Sequence, residues 1–321
     1  MTQFSPKTES TENLTPRKAP RVQVVEVGLR DGLQNEADFV PTSIKIQWVE
    51  SLIASGIKEI ELTSFVSPKK VPQLADAEEL YTKVHQSTFV GKAQFSALVP
   101  NQRGLERALS LGVERIALFT AASNTFTLKN IGMTIEASLK EFSEVIRLYR
   151  QSGGKFVRGY VSTAIECPFE GRISPSAVAE VVRQLIDLGI DEIAFGETLG
   201  VAVPSEIDQL LHVVLPYCND ILVSCHFHDT HGGAIANVAE ALDHGITRFD
   251  ASAGGLGGCP YAPGAGGNLS TEDLVYFLER SGYDTGVNLQ ALAQSSLDVL
   301  QSLGKTPFAK SQLAALARCP Q

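Results

Sequence analysis

From Val22 onward, short apolar runs alternate with longer segments in which apolar residues recur every three to four positions. The short runs predict buried strands, and the longer segments predict amphipathic helices. We place eight strands at 22–27, 59–62, 95–99, 115–119, 156–164, 191–195, 221–227 and 247–252. The helices are predicted near 43–54, 74–85, 101–111, 134–152, 174–188, 204–216, 232–244 and 271–280. The pattern therefore predicts an α/β protein.

A small-residue turn commonly separates a helix from the next strand, as in the phrases SGIKEIE, LGVERIA, LGIDEIA and HGITRFD. Strands that alternate with helices form right-handed crossovers and a parallel sheet. Eight such units in roughly 260 residues are the number that closes a (β/α)8 TIM barrel. The alternative is an open doubly wound sheet, but the first turn lacks the G-x-G-x-x-G of dinucleotide-binding proteins. We expect a TIM barrel within 21–321, with a C-terminal helical extension after about residue 285.

Composition narrows the possible classes of function. The 321 residues are 44% hydrophobic and 20% charged, which excludes an intrinsically disordered chain, and no apolar run is long enough for a membrane helix. A net charge of −9 argues against nucleic acid as a partner, because phosphate binding needs a basic face. Five cysteines without a C-x-x-C spacing fit a reducing compartment.

Residues 1–20 are polar, rich in Ser, Thr and Pro, and predict a disordered N-terminal tail. They contain no apolar core of a secretory signal, and two glutamates weaken the interpretation as a mitochondrial presequence. We therefore expect a soluble enzyme in the cytoplasm.

Candidate chemistry gathers where strands end, which is the catalytic rim of a TIM barrel. Arg30 and Asp31 follow the first strand, and Glu61 lies on the second. His226 and His228 end the seventh strand, and a glycine-rich segment that holds Cys259 follows the eighth.

His226 and His228 are two residues apart, so both imidazoles can point to the same side of their strand. With Asp31 on a nearby strand end, they predict a divalent metal site; the alternative is a pair of hydrogen-bonded rim histidines. Mixed nitrogen and oxygen ligands favour Mg²⁺ or Mn²⁺ over structural zinc.

Each remaining candidate has a chemical and a structural interpretation. Arg30 could stabilise an enolate, or it could form a rim salt bridge with Asp31. Glu61 could hold Arg30 in position, or it could be a buried charge paired only for structure. Cys259 could reach the chemistry from a mobile loop, or it could be inert packing.

Several longer motifs together resemble the hydroxymethylglutaryl-CoA lyase family of metal-dependent TIM barrels. The resemblance covers residues 22–310 and rests on EVGLRDGLQNE (26–36), IELTSFVSPKKVPQLAD (60–76), VRGYVS (157–162), CPFEG (167–171), HFHDTHG (226–232) and GGLGGCPYAPGAGGNLSTEDLVY (254–276). It implies cleavage of a 3-hydroxy-3-methylglutaryl thioester to acetyl-CoA and acetoacetate. It also implies a divalent cation as cofactor and an acyl-CoA as substrate, and we expect a homodimer because helix-clad barrels often dimerise.

The same resemblance assigns roles to individual residues. The metal ligands it implies are Asp31, His226, His228 and Asn268. Arg30 matches the arginine that stabilises the enolate, Glu61 matches the acid that supports it, and Cys259 and Glu272 match a loop cysteine and a glutamate of the site. Asp31 or a metal-bound group is expected to take the hydroxyl proton, and His226 or Cys259 to help protonate the enolate.

Some positions depart from the family pattern, namely Leu29, Ala37, Asn124, Glu197 and His231. They leave open a lyase for a different branched 3-hydroxyacyl-CoA. Two further alternatives are an acetyl-CoA-dependent condensing enzyme, which the cysteine-bearing loop disfavours, and a metal-binding barrel without catalysis.

Overall fold

The computed structural model of the protein describes residues 19–258 and 267–318. Within these ranges, eight parallel strands close into a barrel in the order β1-β8-β7-β6-β5-β4-β3-β2. The strands are β1 Gln23–Glu26, β2 Glu59–Ser64, β3 Gln94–Leu98, β4 Arg115–Ala121, β5 Phe156–Ser162, β6 Glu192–Glu197, β7 Leu222–Phe227 and β8 Arg248–Ala251. The predicted TIM barrel is confirmed, and the open sheet is excluded.

Helices cover the outside of the barrel and continue beyond it. They are α1 Thr42–Ser55, α2 Ala77–His85, α3 Gln102–Ser110, α4 Asn124–Asn130, α5 Ile135–Gln151, α6 Pro175–Asp187, α7 Pro204–Val214, α8 Ala234–Asp243, α9 Thr271–Arg280, α10 Leu289–Ser295, α11 Leu297–Ser302 and α12 Lys310–Leu316. The last three form the predicted C-terminal extension. Each barrel helix buries one apolar face on the strands, as α1 does with Trp48, Val49 and Leu52.

The recurring turn phrases have a conformational cause. The glycine after the helix has a positive φ of 109° at Gly56, 69° at Gly112, 84° at Gly189 and 81° at Gly245. This left-handed conformation ends a helix and costs glycine little, because glycine has no Cβ. The internal repeat in the sequence is therefore a repeat of helix ends.

Three local elements differ from the prediction. Helix α4, a short hairpin of Glu166–Cys167 and Gly171–Arg172, and a π-helical turn at Gly28–Gly32 were not predicted. None of them is long enough to show periodicity in the sequence. Strand β5 also ends at Ser162 rather than at residue 164. All four differences fall at the carboxyl ends of the strands, where the chain is least regular.

Charged side chains fill the lower interior of the barrel, where branched apolar residues are the common choice. Glu192 lies 3.3 Å from Arg158 and 3.2 Å from Arg248, while Glu59 contacts Arg248 at 2.8 Å and Arg115 at 3.4 Å. Opposite charges alternate, so the charge of each side chain is balanced by a neighbour. Paired charges are the form in which ionised groups persist in a protein interior.

Two expectations concern the ends and surface of the chain. The predicted tail lies outside the described residues except for its last two positions, of which Pro20 accepts a hydrogen bond from Asp284 N at 3.0 Å. Among the described helices, none has the length and apolar character that crossing a bilayer requires.

We predict that Glu192→Ala lowers the free energy of unfolding by about 3–5 kcal/mol, because it removes the carboxylate that buried Arg158 shares with half-buried Arg248. Urea denaturation followed by circular dichroism measures the change. The matched control is Glu180→Ala, which removes a surface pair with Arg183 and should cost at most about 1 kcal/mol. Equal losses in the two variants would contradict the interpretation.

Candidate active site

Arg30 and Asp31 are presented by the π-helical turn that follows β1. Backbone bonds from Asp31 N and Gly32 N to Val27 O, at 2.8 and 3.1 Å, close the turn. Gly28 permits it, because a Cβ there would lie 2.7 Å from both Glu26 and Trp48. Two adjacent charged residues therefore leave the strand on a rigid turn at the mouth of the barrel.

The two histidines at the end of β7 converge on Asp31. The Nε2 atoms of His226 and His228 are 3.3 Å apart, and His226 Nε2 lies 3.7 Å from Asp31 Oδ2. One ligand atom from each of these three residues lies within 4.8 Å of the other two. The structure therefore brings together three of the four predicted metal ligands.

Asn268, the fourth predicted ligand, adjoins this cluster. Its Nδ2 donates to Asp31 Oδ2 and to Leu256 O, each at 3.0 Å. Its Oδ1 is buried and has no hydrogen-bond partner among the described residues. An amide oxygen left free beside a carboxylate and two imidazoles fits a divalent cation, and the mixed nitrogen and oxygen donors suit a metal other than structural zinc.

Burial and neighbouring charges set the protonation of the cluster. Burial alone would raise the pKa of Asp31, but the charge of Arg30, together with the two histidines and the hydrogen bond from Asn268, outweighs it and lowers that pKa to about 2. Burial, with the second imidazole beside it, lowers the pKa of His228 to about 4. At neutral pH the cluster therefore contains an ionised carboxylate and a neutral imidazole, the forms that bind a cation.

Asp250 of β8 orients His226 from behind. An ionised carboxylate can only accept, so His226 Nδ1 donates to Asp250 Oδ2 at 3.0 Å and leaves its Nε2 lone pair toward the cluster. Arg158 donates to Asp250 Oδ1 at 2.6 Å, and its charge lowers the pKa of Asp250 although burial opposes ionisation. Sequence analysis identified neither residue, although the polar alternation of Arg158, Tyr160 and Ser162 along β5 was a usable signal.

Arg30 is held by two carboxylates and an aromatic ring. Its guanidinium donates to Asp31 and, through Nε, to Glu61, and its charge lies 5.2 Å from the centre of the Tyr160 ring. The Tyr160 hydroxyl donates to the second oxygen of Glu61. Glu61 itself is fully buried, and the structure places it where the sequence predicted, behind Arg30. Its contacts hold the Arg30 guanidinium in place, and a role in the reaction stays a prediction.

Of the two remaining predicted site residues, the structure describes Glu272 but not Cys259. The Glu272 carboxylate accepts from Gly254 N at 3.0 Å and lies beside Ser296 Oγ at 3.5 Å, so the structure does not bring it to the cluster. Burial raises its pKa to about 8. Its contacts support the segment after β8, and a catalytic role stays a prediction. Cys259 lies outside the described residues.

Glu26 is a further residue that sequence analysis did not identify. Its carboxylate accepts from Gly28 N at 2.8 Å, Ala253 N at 3.0 Å and the Thr271 hydroxyl at 2.7 Å. Burial raises its pKa to about 7. These bonds join the turn that carries Arg30 to the chain that follows β8, which fixes both sides of the cluster.

A cavity of about 430 Å³ opens above these groups. Arg30, Asp31, Tyr160, His226 and His228 form its polar wall. Apolar side chains, which we call the apolar wall, also line it: Val66, Val71, Leu98, Pro100, Phe119, Phe126, Ile131 and Met133. The site can thus hold a molecule that has oxygen ligands at one end and carbon substituents at the other.

Comparison with known proteins identifies relatives over nearly the whole chain. A family model described as HMGL-like matches residues 21–299. The mitochondrial hydroxymethylglutaryl-CoA lyase of Bos taurus is 45% identical over 290 residues, which are 90% of this chain and 88% of that protein.

Two solved structures extend the comparison. The hydroxymethylglutaryl-CoA lyase of Pseudomonas aeruginosa has a TM-score of 0.88 at 40% identity, covering 94% of this chain and 100% of that one. An HMG-CoA lyase from Acinetobacter baumannii, in complex with coenzyme A and 3-methylmalate, has a TM-score of 0.84 at 37% identity over 94% and 97% of the two chains. With these matches and the cluster at the barrel mouth, the chain belongs to the hydroxymethylglutaryl-CoA lyase family.

Proposed function

We propose that this protein is a carbon–carbon lyase that cleaves 3-hydroxy-3-methylglutaryl-CoA, or a close branched 3-hydroxyacyl-CoA, to acetyl-CoA and a keto acid. The observation that carries the proposal is the convergence of Asp31, His226, His228 and Asn268 beside Arg30, in a chain 45% identical to a hydroxymethylglutaryl-CoA lyase over 90% of its length. The first four residues would hold the cation, for which we propose Mg²⁺ or Mn²⁺.

The reaction makes three demands on the site. The tertiary hydroxyl must lose its proton, the adjacent carbon–carbon bond must break, and the electron pair must move into the thioester of the departing acetyl-CoA as an enolate. A bound divalent cation supplies Lewis acidity, which lowers the pKa of an alcohol that it binds and polarises the new carbonyl. The remaining demands fall on the residues of the chain.

Arg30 is positioned to stabilise the negative charge of the enolate. Its guanidinium lines the cavity, is almost completely buried and is always charged, so it offers a fixed positive group to the enolate oxygen. Glu61 accepts a hydrogen bond from the guanidinium, and the centre of the Tyr160 ring lies 5.2 Å from it. Because these partners are already in place, Arg30 needs no rearrangement as negative charge develops.

Asp31 and His226 are positioned for the proton transfers. Both line the cavity, and both are within the cluster that would bind the hydroxyl end of the substrate. We propose that Asp31 accepts the hydroxyl proton and that a proton reaches the enolate carbon either from Cys259 or through His226 Nε2, which would first take up the proton that Asp31 has accepted. The cytoplasmic location and the homodimer stay predictions.

A second candidate substrate is favoured by the apolar wall. Phe119, Phe126 and Met133 line the same cavity as the polar cluster, and a branch on the third carbon of the acyl chain could pack on them. A 3-hydroxyacyl-CoA with an alkyl branch longer than methyl is therefore the second candidate.

Incubation with a panel of 3-hydroxyacyl-CoA thioesters of increasing branch length is expected to release acetyl-CoA and the matching keto acid, detected by mass. Treatment with a chelator should abolish release, and added Mg²⁺ or Mn²⁺ should restore it. Appearance of free CoA from acetyl-CoA and a 2-oxo acid, without cleavage of any panel member, would instead indicate a condensing enzyme. Metal binding without either reaction would indicate a barrel that only binds metal.

We predict that His228→Ala lowers metal-dependent turnover by more than about 100-fold, because it removes one nitrogen donor from the cluster. The circular dichroism spectrum should remain that of the wild type. His244→Ala is the matched control, since His244 contacts Asp208 on the outer helices at 2.9 Å, away from the cavity. Undiminished turnover in the His228 variant would remove this residue from the mechanism.

Glu61→Gln is expected to lower kcat by about 10²-fold, because an uncharged amide holds Arg30 less firmly during enolate formation. The KM should change little, since Glu61 does not line the cavity. Steady-state kinetics separates the two parameters. Glu78→Gln is the control, as Glu78 pairs with Arg107 at 2.5 Å on the outside of the barrel. A rise in KM at constant kcat would assign Glu61 to substrate binding instead.

A further inference from the structure

Thr163, directly after β5, has an unusual backbone conformation. Its φ is +53°, and no other non-glycine residue in the described ranges has a positive φ. The left-handed region is unfavourable for a β-branched residue, because the Cβ substituents crowd the backbone. Thr163 is also fully buried. Such a conformation persists only where surrounding contacts hold it, and it commonly marks a functional position.

The left-handed residue redirects the chain away from the barrel. After Thr163 the chain enters the hairpin at residues 166–172, which packs on the start of α4. Cys167 Sγ contacts Ser123 Oγ at 3.0 Å, and Thr125 N donates to Glu170 Oε1 at 2.7 Å. Phe126 of α4 lines the cavity. The turn at Thr163 therefore supports the apolar wall from behind.

Thr163 also joins two residues of the cavity rim. Its backbone N–H donates to Thr198 Oγ1 at 2.8 Å, and its own hydroxyl donates to Ser162 O at 2.7 Å. Ser162 and Thr198 both line the cavity, at the ends of β5 and β6. The Thr198 hydroxyl also lies 3.5 Å from Gly196 O, at the outer limit of a hydrogen bond, so its proton can turn toward the cavity.

The close packing of β5 on β6 makes this arrangement specific. A Cβ at Gly196 would lie 3.1 Å from both Cα and Oγ of Ser162. Ala164 N donates to Gly196 O at 3.0 Å, so the chain is tied to β6 on both sides of Thr163. The amide of Thr163 reaches Thr198 Oγ1 from a left-handed backbone. On one side of Thr163, Ser162 packs on Gly196, and on the other side Ala164 N donates to Gly196 O.

We propose that Thr163 is a positioning residue that aims the hydroxyl of Thr198 at an oxygen of the bound acyl thioester. The proposal rests on the proposed function, since the ligand is the thioester substrate. Thr163 does not touch the substrate; it acts through the bond from its N–H to Thr198. A contact of this kind binds substrate and transition state alike, so its loss raises KM more than it lowers kcat.

The test compares Thr163→Gly and Thr163→Ser in steady-state kinetics on the thioester that the wild type cleaves. Thr163→Gly accepts the positive φ but loses the hydroxyl bond and no longer confines the backbone. We expect its KM to rise about 10-fold while kcat changes by less than about threefold. Thr163→Ser keeps the hydroxyl and should restore a KM within about twofold of the wild type. Thr120→Val is the matched control, because Thr120 is a buried threonine of β4 that contacts Ser138 at 3.0 Å.

A double variant distinguishes positioning from general loss of structure. If Thr163 acts through Thr198, Thr163→Gly should add less than about twofold to the KM of Thr198→Val. The proposal would be overturned if the two substitutions raise KM by factors that multiply in the double variant. An unchanged KM in Thr163→Gly, or an equal rise of KM in Thr120→Val, would also overturn it. Turnover by the wild type tests the proposed function separately. If the wild type cleaves no thioester, the substrate assignment is wrong. If the wild type is active and the variants are unaffected, only the role of Thr163 is wrong.

Discussion

The ion pair between Arg158 and Asp250 connects the interior of the barrel with its mouth. Below it, Arg158 contacts Glu192, whose charge is shared with Arg248. Above it, Asp250 fixes the ring of His226. Buried charges are tolerated only in balanced sets, so loss of one member leaves its neighbours uncompensated. The stability of this fold and the orientation of His226, a proposed metal ligand, therefore depend on the same row of charges.

The mouth of the barrel is lined both by charged side chains and by apolar side chains. The charged row ends at the polar wall, where Asp31 and His226 lie beside Arg30, and the cation they could hold would balance the remaining negative charge. Phe119 and Phe126 pack in an apolar cluster at α4, and Lys70 is a further charged residue of the cavity lining. A substrate could therefore place its oxygens against the charged groups and its carbon branch against the apolar side chains.

The parts that could be predicted from the sequence are those with a repeating physical cause. Helix periodicity and the glycine-ended turns predicted the barrel. The rule that catalytic residues lie at strand ends predicted the positions of Asp31, His226 and His228. Asp250 and Glu26 could not be located in this way, because their roles depend on partners such as Arg158 and Thr271 that are far away in the chain. A single buried acid in a strand carries no local signal for the residue that it orients. Cys259 lies outside the described residues, so the structure does not bear on its role.

The features of the site that could not be predicted also include its irregular backbone. A regular strand cannot supply the geometry that the site needs. A strand places alternate side chains on one face, which suffices for His226 and His228. It cannot present the adjacent residues Arg30 and Asp31 to the same cavity, and the π-helical turn does so at the end of β1. At the end of β5 the left-handed Thr163 directs an amide to Thr198 on the next strand, which continued extended backbone would not do. Both irregularities lie at the mouth, where the adjoining strands hold them in place. The regular barrel therefore provides the stability, and its two unfavourable turns provide the orientation of the site.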